Sequence, residues 1–442
     1  MPLPVRYSAE VPEMEEIWSP VGYFRAQTSI WLAECVALHE LEGSPSDDEL
    51  EQIRQALQLS TEDLANLTRA EGHETNKLLR LVQSRLTVEL GNLIHRGNTS
   101  SDVLDTSLAL QIIGSLALLS ADFEELAMVL ASLAVQHEGT LQVARTHGQH
   151  AIPHTFGRQV LGWYAEVERC LERIERARHV ISVGKLSGEV GTNVFISAQL
   201  EERALADLNM RTDPAPTQVI ARDRHAEVIC LMAVNAATLC RIATNISLLG
   251  ITDLGEVQEP FDAEAQQGSS AMPHKRNTEL SERVRGLSRR VWSAAQEELS
   301  ASVLWLERDI SHSSTERFTF PDTFGCLAYS ARLTTKILSG LVVNSDRMHA
   351  NTERTLGAIY AARLLNAILE GGQASRTEAY ELVKHLAQKA MDTGVPLQRL
   401  ARDEPKLIAL LDGADLEELF RPDFYLRNIR VAYERAGLIN GD

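Results

Sequence analysis

The chain contains few cysteines and few aromatic residues, and its acidic residues outnumber its basic ones. The five cysteines form no Cys-x-x-Cys pair, which fits a reduced cytoplasmic protein without structural zinc. The 43 Lys and Arg residues against 61 Asp and Glu residues leave a formal charge of −18. Nucleic acid is therefore not expected as a partner, because a phosphate backbone is bound by a basic face. An anionic small molecule would need a local cluster of cations within this acidic chain.

Signal-peptide and membrane-spanning segments are not expected either. The first 15 residues are charged and are interrupted by Pro2, Pro4 and Pro12, unlike a secretory leader. The long uncharged runs, such as 106–121 and 228–240, are too short to cross a bilayer comfortably. We therefore expect a soluble cytoplasmic protein with no membrane partner.

Long stretches without proline are the main structural signal. Proline is absent from 46–152, 154–213 and 322–395, and these stretches are rich in Leu, Ala, Glu and Arg, as long helices require. Spacings of three and four between apolar residues indicate a helix-packing seam. Its members are Leu116, Leu119, Phe123, Leu126, Leu130 and Leu133. Because patterns typical of strands are nearly absent, the predicted fold class is all-α.

The segment 224–249 differs from the other predicted helices. It is apolar on nearly every side, and Arg241 is its only charge after Glu227. A helix that is apolar all round is expected to be buried all round. This predicts a position at the centre of a bundle, and a bundle shared between subunits is one way to provide it. Loops are predicted at 141–153, 208–216 and 256–273, and they hold most of the notable polar residues.

The segment 268–277, Gly-Ser-Ser-Ala-Met-Pro-His-Lys-Arg-Asn, is the most informative part of the sequence. Glycine tolerates backbone angles that other residues avoid, and the Lys-Arg-Asn end supplies donors suited to a carboxylate. A nucleophile or base beside carboxylate-binding groups suggests an enzyme that closes over an anionic substrate. The alternative is a solvated basic turn.

A second cluster, Arg145–His150 followed by Pro153 and His154, is rich in histidine. A histidine just before a glycine in a loop can act as a general acid or base near neutral pH. His147, His150 and His154 could also be metal ligands, but Gly148 and Pro153 would break the helix that their spacing needs. A plain helix-entry loop is the remaining alternative.

Three further clusters each have a functional and a structural interpretation. The run 97–102 contains consecutive hydroxyls that could cap a helix beginning near Val103 or bind a carboxylate or phosphate. The run 307–317 contains two arginines that could bind phosphate by forked contacts or form a salt-bridged helix face. The run 218–225 could belong to a binding site or to a buried ion network at a subunit contact.

Together these clusters resemble the fumarase/aspartase superfamily, whose members eliminate fumarate from a substituted succinate. The segment 268–277 is similar to the superfamily signature, and 145–150, 99–105, 218–227 and 307–317 are similar to its other active-site segments. Within the superfamily the chain is most similar to the adenylosuccinate lyases. That likeness extends to both ends of the chain, at 6–8, 14, 17–20, 375–380 and 416–425.

The resemblance implies a three-domain fold whose central bundle of long helices joins three others in a tetramer core. The implied boundaries are an N-terminal helical domain at 1–100, the long-helix bundle at 101–350 and a C-terminal helical domain at 351–442. It also implies a homotetramer in which each active site is assembled from three subunits. Neither a metal nor a cofactor is implied.

The resemblance also implies a role for each matching residue. Ser269 matches the general base, His147 the general acid, and His73 the histidine that supports it. Thr99, Ser100 and Gln218 match residues that hold the succinyl carboxylates, while Lys275 and Asn277 match those that stabilise the developing dianion. Five positions match residues that bind the phosphate and ribose of a nucleotide: Arg6, Tyr7, Arg308, Ser313 and Arg317.

Several positions depart from the family pattern. They are Thr278 in place of proline, Gly72, Glu74 in place of aspartate, Arg96, His154 and the run 357–360. These departures leave two activities open: cleavage of a nucleotide-linked succinyl group, or fumarate release from another N-succinyl amine by a paralogous enzyme. A cycloisomerase of the same fold and a non-enzymatic helical assembly are further alternatives. The latter would not need Ser269, His147 and Lys275 together.

Overall fold

The computed structural model describes residues 3–69, 71–261, 272, 274–411 and 413–440. These residues are predominantly helical, and the all-α prediction is confirmed. The strands of the described residues pair into three sheets of two strands each. Proline-free sequence therefore becomes long helix, as expected from its composition.

The chain divides into two compact units, each assembled from separated segments. The first unit comprises Met1–Leu126, Val167–Arg241 and Arg283–Thr334, and the second comprises Ala127–Glu166, Ile242–Glu282 and Thr335–Asp442. Five long helices contribute residues to both units: Ser100–Gln136, Phe156–Ile181, Asp223–Leu249, Glu279–Ala301 and Ser311–Ser339. The three-domain division at 100 and 350 stays a prediction.

The first unit contains further helices that precede or separate these five. They are Val5–Ser8, Pro12–Trp18, Pro20–Glu42, Asp47–Ala56, Thr61–Arg69, Glu74–Gln83, Val88–Gly91 and Ala198–Asp207. Strands Val183–Gly184 and Arg211–Thr212 pair in parallel. Local sequence accounts for several helix starts. Ser46, for example, forms a capping box with Glu49, in which each side chain satisfies a free N–H of the first turn.

The second unit contains the C-terminal helices and two small antiparallel sheets. The helices are Ser345–Glu353, the 3₁₀ turn Ala358–Tyr360, Ala361–Glu370, Arg376–Thr393, Leu397–Arg402, Pro405–Leu410, Leu416–Leu419, Asp423–Leu426 and Arg430–Arg435. Strand Val257–Gln258 pairs with Val342–Val343. A buried apolar cluster that includes Leu364, Ile368, Leu386 and Leu397 forms the core of these helices.

The predicted seam lies in the helix Ser100–Gln136. All six seam residues are buried, Leu133 being the most exposed of them at 8%. The helix begins at Ser100, three residues before the predicted start. The prediction of a packing seam is confirmed, and the position of its first turn is corrected.

The helix Asp223–Leu249, expected at the centre of a bundle that subunits could share, is only partly buried within one chain. Val234 and Leu248 are 46% and 55% exposed. By length and composition alone, this helix and Ser100–Gln136 are long and apolar enough to cross a membrane. The uncharged runs 106–121 and 228–240 are too short to do so, but that argument does not apply to the whole helices. A core helix passes the same test, and 56% of each apolar window is buried.

The region 141–153 was predicted as a loop but forms a β-hairpin. Strands Leu141–Thr146 and Gln149–Thr155 pair antiparallel. The two connecting residues, His147 and Gly148, have φ of 54° and 76°. Two positive φ values define the tight turn that matches the twist of paired strands. The hairpin thus places His147 at its tip.

Candidate active site

The first turn of the helix Ser100–Gln136 carries two predicted site residues. Thr99 donates its backbone N–H to Asp102 Oδ2 at 2.8 Å, so the carboxylate of the third helical residue caps the helix start. Thr99 and Ser100 are only partly buried. The run 97–102 thus forms a helix start, but the bond there is made by the carboxylate of Asp102. The hydroxyls of Thr99 and Ser100 lie at this helix N-terminus, where anions are favoured.

Arg308 brings three distant segments together. Its Nη1 donates to Ser101 Oγ at 2.9 Å and to Gln218 Oε1 at 3.1 Å. Ser101 follows Ser100 directly, so the hydroxyl run, Gln218 and Arg308 form one polar cluster inside the first unit. Sequence proximity could not have revealed this, because the three segments are separated by about a hundred residues each.

A cleft of about 550 Å³ lies in the first unit beside this cluster. Arg308, Ser313 and Arg317 line it together with Ser101 and Glu74. Its apolar lining consists of Trp18, Pro20, Phe24, Leu67, Leu104, Leu108, Phe318 and Pro321. A concave site with an apolar wall and a few convergent polar side chains is typical of a pocket for an organic ligand.

The apolar wall is held by aromatic packing. Trp18 stacks on Phe320 and Phe324, with ring centroids 6.3 and 5.9 Å away. The indole Nε1–H donates to Ser115 Oγ at 3.0 Å. Because its ring is stacked and its polar atom is satisfied, Trp18 is a rigid part of the cleft.

Glu74 and Arg317 form an ion pair at the cleft. Arg317 Nη2 lies 3.1 Å from Glu74 Oε2, and Tyr23 donates its hydroxyl to the same oxygen at 2.8 Å. Burial opposes ionisation of Glu74, but the hydrogen bonds from Arg317 and Tyr23 outweigh it and lower the pKa of the carboxyl. His73 precedes Glu74 as the N-cap position of the helix Glu74–Gln83 and is exposed.

A buried ion network forms part of the cleft lining. Arg222 Nη2 is 2.7 Å from Asp105 Oδ1, and its Nε is 2.7 Å from Glu316 Oε1. Burial, with Arg222 nearby, lowers the pKa of His225 to about 3. Burial and the charge of Glu316 raise the pKa of Glu298 to about 8. Arg222 of the run 218–225 therefore belongs to a buried ion network within a single chain.

Arg6 and Tyr7 lie in the short helix Val5–Ser8. Tyr7 packs edge-on against Tyr329, with ring centroids 4.9 Å apart, and Arg6 is exposed. Neither residue belongs to the lining of the cleft. Both predicted binding residues lie in the first unit.

His147 lies in the second unit and is exposed at the hairpin tip. A non-glycine residue with positive φ is uncommon, and such positions concentrate at functional sites. Among the described residues, no three His, Cys, Asp or Glu side chains are grouped as a metal site. His150 and His154 both have lowered pKa values, to about 4 for His154, mainly because burial disfavours the charged imidazole.

Glu256 anchors the hairpin and is a functional residue that sequence reasoning missed. Its side chain is fully buried. It accepts hydrogen bonds from Gln142 Nε2 at 2.7 Å, from Asn351 Nδ2 at 2.8 Å and from Arg145 Nη2 at 2.5 Å. Because three side chains converge on one buried carboxylate, the strand that leads to His147 has a fixed position. No pattern around Glu256 in the sequence signals this role.

Lys275 and Asn277 are described and exposed in the second unit, whereas Ser269 lies outside the described residues. Arg276, which separates Lys275 from Asn277 in the sequence, has its guanidinium over the Phe261 ring, 5.1 Å from the ring centroid. Glu259 accepts the N–H groups of Leu280 and Ser281 at 3.1 and 2.8 Å. The segments on either side of the signature are therefore joined by direct contacts.

Comparisons with known proteins identify the family of the chain. Residues 5–293 match the family described as Lyase, and residues 357–436 match Adenylosuccinate lyase C-terminus. The chain is 36% identical to adenylosuccinate lyase from Aquifex aeolicus, covering 96% of this chain and 97% of the relative. It is 38% identical to adenylosuccinate lyase from Synechocystis sp., covering 96% and 98%.

A solved structure, 3-carboxy-cis,cis-muconate lactonizing enzyme from Pseudomonas putida, is also similar. It matches with a TM-score of 0.85 and 30% identity, over 96% of each chain. The superfamily fold is thus common to enzymes of different chemistry. The full-length relatives and the matched C-terminal region narrow the assignment, and the chain belongs to the adenylosuccinate lyase family of the fumarase/aspartase superfamily.

Proposed function

We propose that this chain cleaves adenylosuccinate into AMP and fumarate, and that it performs the same elimination on the succinyl-carboxamide ribotide of purine synthesis. The observation that carries the proposal is the contact of Arg308 with both Ser101 and Gln218, at 2.9 and 3.1 Å. This contact joins residues expected to hold a succinyl group to residues expected to hold a nucleotide. Full-length similarity to adenylosuccinate lyases supports it.

The reaction is a β-elimination across a carbon–carbon bond of the succinyl group. A base removes a proton from the carbon beside a carboxylate, and the C–N bond on the next carbon then breaks as an acid protonates the departing nitrogen. The electron pair of the broken C–H bond first places a second negative charge on the carboxylate. Stabilising that charge is the main task of the site.

We assign the proton transfers to residues that match the family. Ser269 is the base, His147 the acid, and His73 supports His147. A serine hydroxyl is a weak base in water, so desolvation and nearby cationic and amide donors must favour its ionised form. Lys275 supplies positive charge to the dianionic intermediate.

Two groups of residues bind the substrate in this proposal. Thr99, Ser100 and Gln218 hold the succinyl carboxylates, with Asn277 beside the developing charge. The cleft of about 550 Å³ takes the nucleotide. The phosphate and ribose of the nucleotide contact Arg308, Ser313 and Arg317. Arg6 and Tyr7 join these contacts when the subunits assemble. Arginine suits this role because its planar fork matches a phosphate.

We propose a cytoplasmic homotetramer with shared active sites. Apolar side chains on the long helices remain exposed in one chain, including Val234, Leu248 and Leu299. Large exposed apolar surface on a single chain marks an interaction site, and packing long helices of several copies together would cover it. The proposal includes no metal, cofactor, nucleic-acid partner or membrane partner.

A paralogous lyase acting on another succinylated amine is the second candidate. The departures at Thr278, Gly72, Arg96 and His154 are compatible with it, but the arginines of the cleft favour a phosphate-bearing substrate. Glu74, a further departure, contacts Arg317 directly. The full-length relatives that are named adenylosuccinate lyases also favour the first candidate.

The proposal is tested by offering adenylosuccinate to the purified protein and measuring AMP and fumarate in equal amounts. Turnover that disappears in Ser269→Ala, while the assembly and its melting temperature are retained, supports the assignment. A folded tetramer that releases no fumarate from adenylosuccinate would refute it in favour of the paralogous lyase.

A further inference from the structure

The segment Lys185–Gly191, called the 185–191 turn here, has no role in the chemistry proposed above. Lys185 is fully buried, so it cannot touch a substrate. Its Nζ donates to Asp102 Oδ1 and to the Gly188 carbonyl oxygen, the latter at 3.2 Å. A buried ammonium is costly unless it is paired and hydrogen-bonded, and Asp102 supplies the pairing.

Asp102 connects this turn to the start of the helix Ser100–Gln136. Besides Lys185, its carboxylate accepts the Ser187 and Gly188 N–H groups, each at 3.2 Å, and the Thr99 N–H at 2.8 Å. One buried carboxylate therefore binds the backbone of the turn and the backbone of Thr99. Any shift of the turn is transmitted to Thr99 through this acceptor.

The other end of the turn contacts the segment that leads into Gln218. Gly191 has φ of 76°, and a Cβ at this position would lie 2.1 Å from the Pro216 carbonyl oxygen and 2.9 Å from that of Thr217. Only glycine permits both this backbone angle and this approach. The backbone of Gly191 thus lies directly against the two residues before Gln218.

We propose that the 185–191 turn sets the distance between Thr99-Ser100 and Gln218, and that Lys185, Asp102 and Gly191 are positioning residues for the succinyl group. The inference rests on the proposed function, because that function assigns Thr99, Ser100 and Gln218 to the succinyl carboxylates. Two anchor points with opposite requirements support it. On the Thr99 side, the carboxylate of Asp102 binds the turn through an ion pair and hydrogen bonds. On the Gln218 side, the backbone of Gly191 packs closely because glycine has no side chain.

Two of the three cleft residues assigned to the nucleotide have different supports, whereas Arg308 contacts Ser101 and Gln218 directly. Arg317 is held by Glu74, and Ser313 lies in the helix Ser311–Ser339. No hydrogen bond described in the structure links either of these to the 185–191 turn. A displaced turn should therefore weaken succinate-like ligands more than nucleotide-like ones. This difference separates positioning from general loss of structure.

The test measures inhibition of adenylosuccinate cleavage by succinate and by AMP in Gly191→Ala. We expect the inhibition constant of succinate to rise about tenfold or more, since small misplacements of binding groups have effects of that size. The inhibition constant of AMP should change less than about twofold, because Ser313 and Arg317 are not displaced. Gly372→Ala is the matched control, because Gly372 also has a positive φ, of 69°, but a Cβ there would meet nothing within 4 Å.

A second pair of variants tests the other anchor. Lys185→Met should reproduce the selective loss of succinate inhibition, and Lys185→Arg, which keeps a cation beside Asp102, should restore part of it. An equal change in both constants, or none, in a soluble variant would overturn the inference. Failure of the wild type to cleave adenylosuccinate would overturn the proposed function and this inference together.

Discussion

Arg317 donates to the carboxylate of Glu74 through both terminal guanidinium nitrogens, at 3.1 and 3.3 Å. The side-chain fork proposed for a phosphate therefore also binds a carboxylate of the same chain. Tyr23 donates to the same carboxylate and keeps it in place. A phosphate entering the cleft must share the guanidinium with Glu74 or displace it, so the geometry of Arg317 controls how strongly phosphate binds.

Replacing Arg317 with lysine should weaken phosphate recognition. Lysine keeps the charge but loses the forked pair of donors. We expect KM for adenylosuccinate to rise about tenfold, the range of a charge-assisted hydrogen bond. For the matching nucleoside without a phosphate, KM should change little. Arg402→Lys, at an exposed Arg402–Glu417 pair in the second unit, is the control. Equal losses on both substrates would argue against a phosphate contact.

Mixing two inactive variants should restore activity if sites are shared between subunits. Ser269→Ala and His147→Gln are each expected to be inactive as homotetramers. After dissociation and reassembly in equal amounts, about a quarter of the sites should contain both native residues when the two come from different subunits. Fumarate release by the mixture is the measurement, with each variant reassembled alone as its control. An inactive mixture would show that Ser269 and His147 act from the same chain.

Substitutions at His147 should separate activity from stability. The residue has φ of 54° at the hairpin tip, a conformation that asparagine tolerates and valine does not. His147→Asn should therefore lose about a hundredfold or more in kcat, as removal of a general acid does, while its melting temperature stays at the wild-type value. His147→Val should lose both. An active His147→Asn enzyme would remove His147 from the chemistry.

Glu298 should make stability depend on pH. Burial and Glu316 raise its pKa in the folded state from 4.5 to about 8. Between these two values the folded chain holds a proton that the unfolded chain has released, so stability falls as the pH rises through this range. In Glu298→Gln the fall in melting temperature from pH 5.5 to 8.5 should be smaller than in the wild type. Glu62→Gln, at an exposed position, should keep the wild-type slope, and an unchanged slope in Glu298→Gln would contradict the assignment.

The helices could be predicted from the sequence because their determinants are local. Absence of proline and the spacing of residues such as Leu116 and Leu126 specify a helix and its buried face without reference to the rest of the chain. The hairpin at 141–155 could not be predicted in this way, because its position depends on distant residues. Gln142 of the hairpin donates to Glu256, and Asn351 donates to the same carboxylate. Strand pairing depends on such distant residues more than helix formation does.

The same distinction applies to the site. The polar clusters could be found as runs of unusual composition, and Gln218, Arg308 and the Thr99–Ser101 run do meet in the structure. The residues that hold these clusters were not found, because Lys185 and Glu256 are single charges in otherwise ordinary sequence. A buried charge is recognisable as a support only when its partners are known.

Trp18 gives the cleft an optical reporter of its own. Trp31 and Trp163 are fully buried away from solvent, and Trp292 and Trp305 are 41% and 77% exposed. In a Trp292→Phe/Trp305→Phe protein, a ligand that enters the cleft would therefore change the emission of Trp18 above the steady signal of the two buried indoles. Such a protein would register occupancy without turnover, and ligands that never react could be ranked by fluorescence alone.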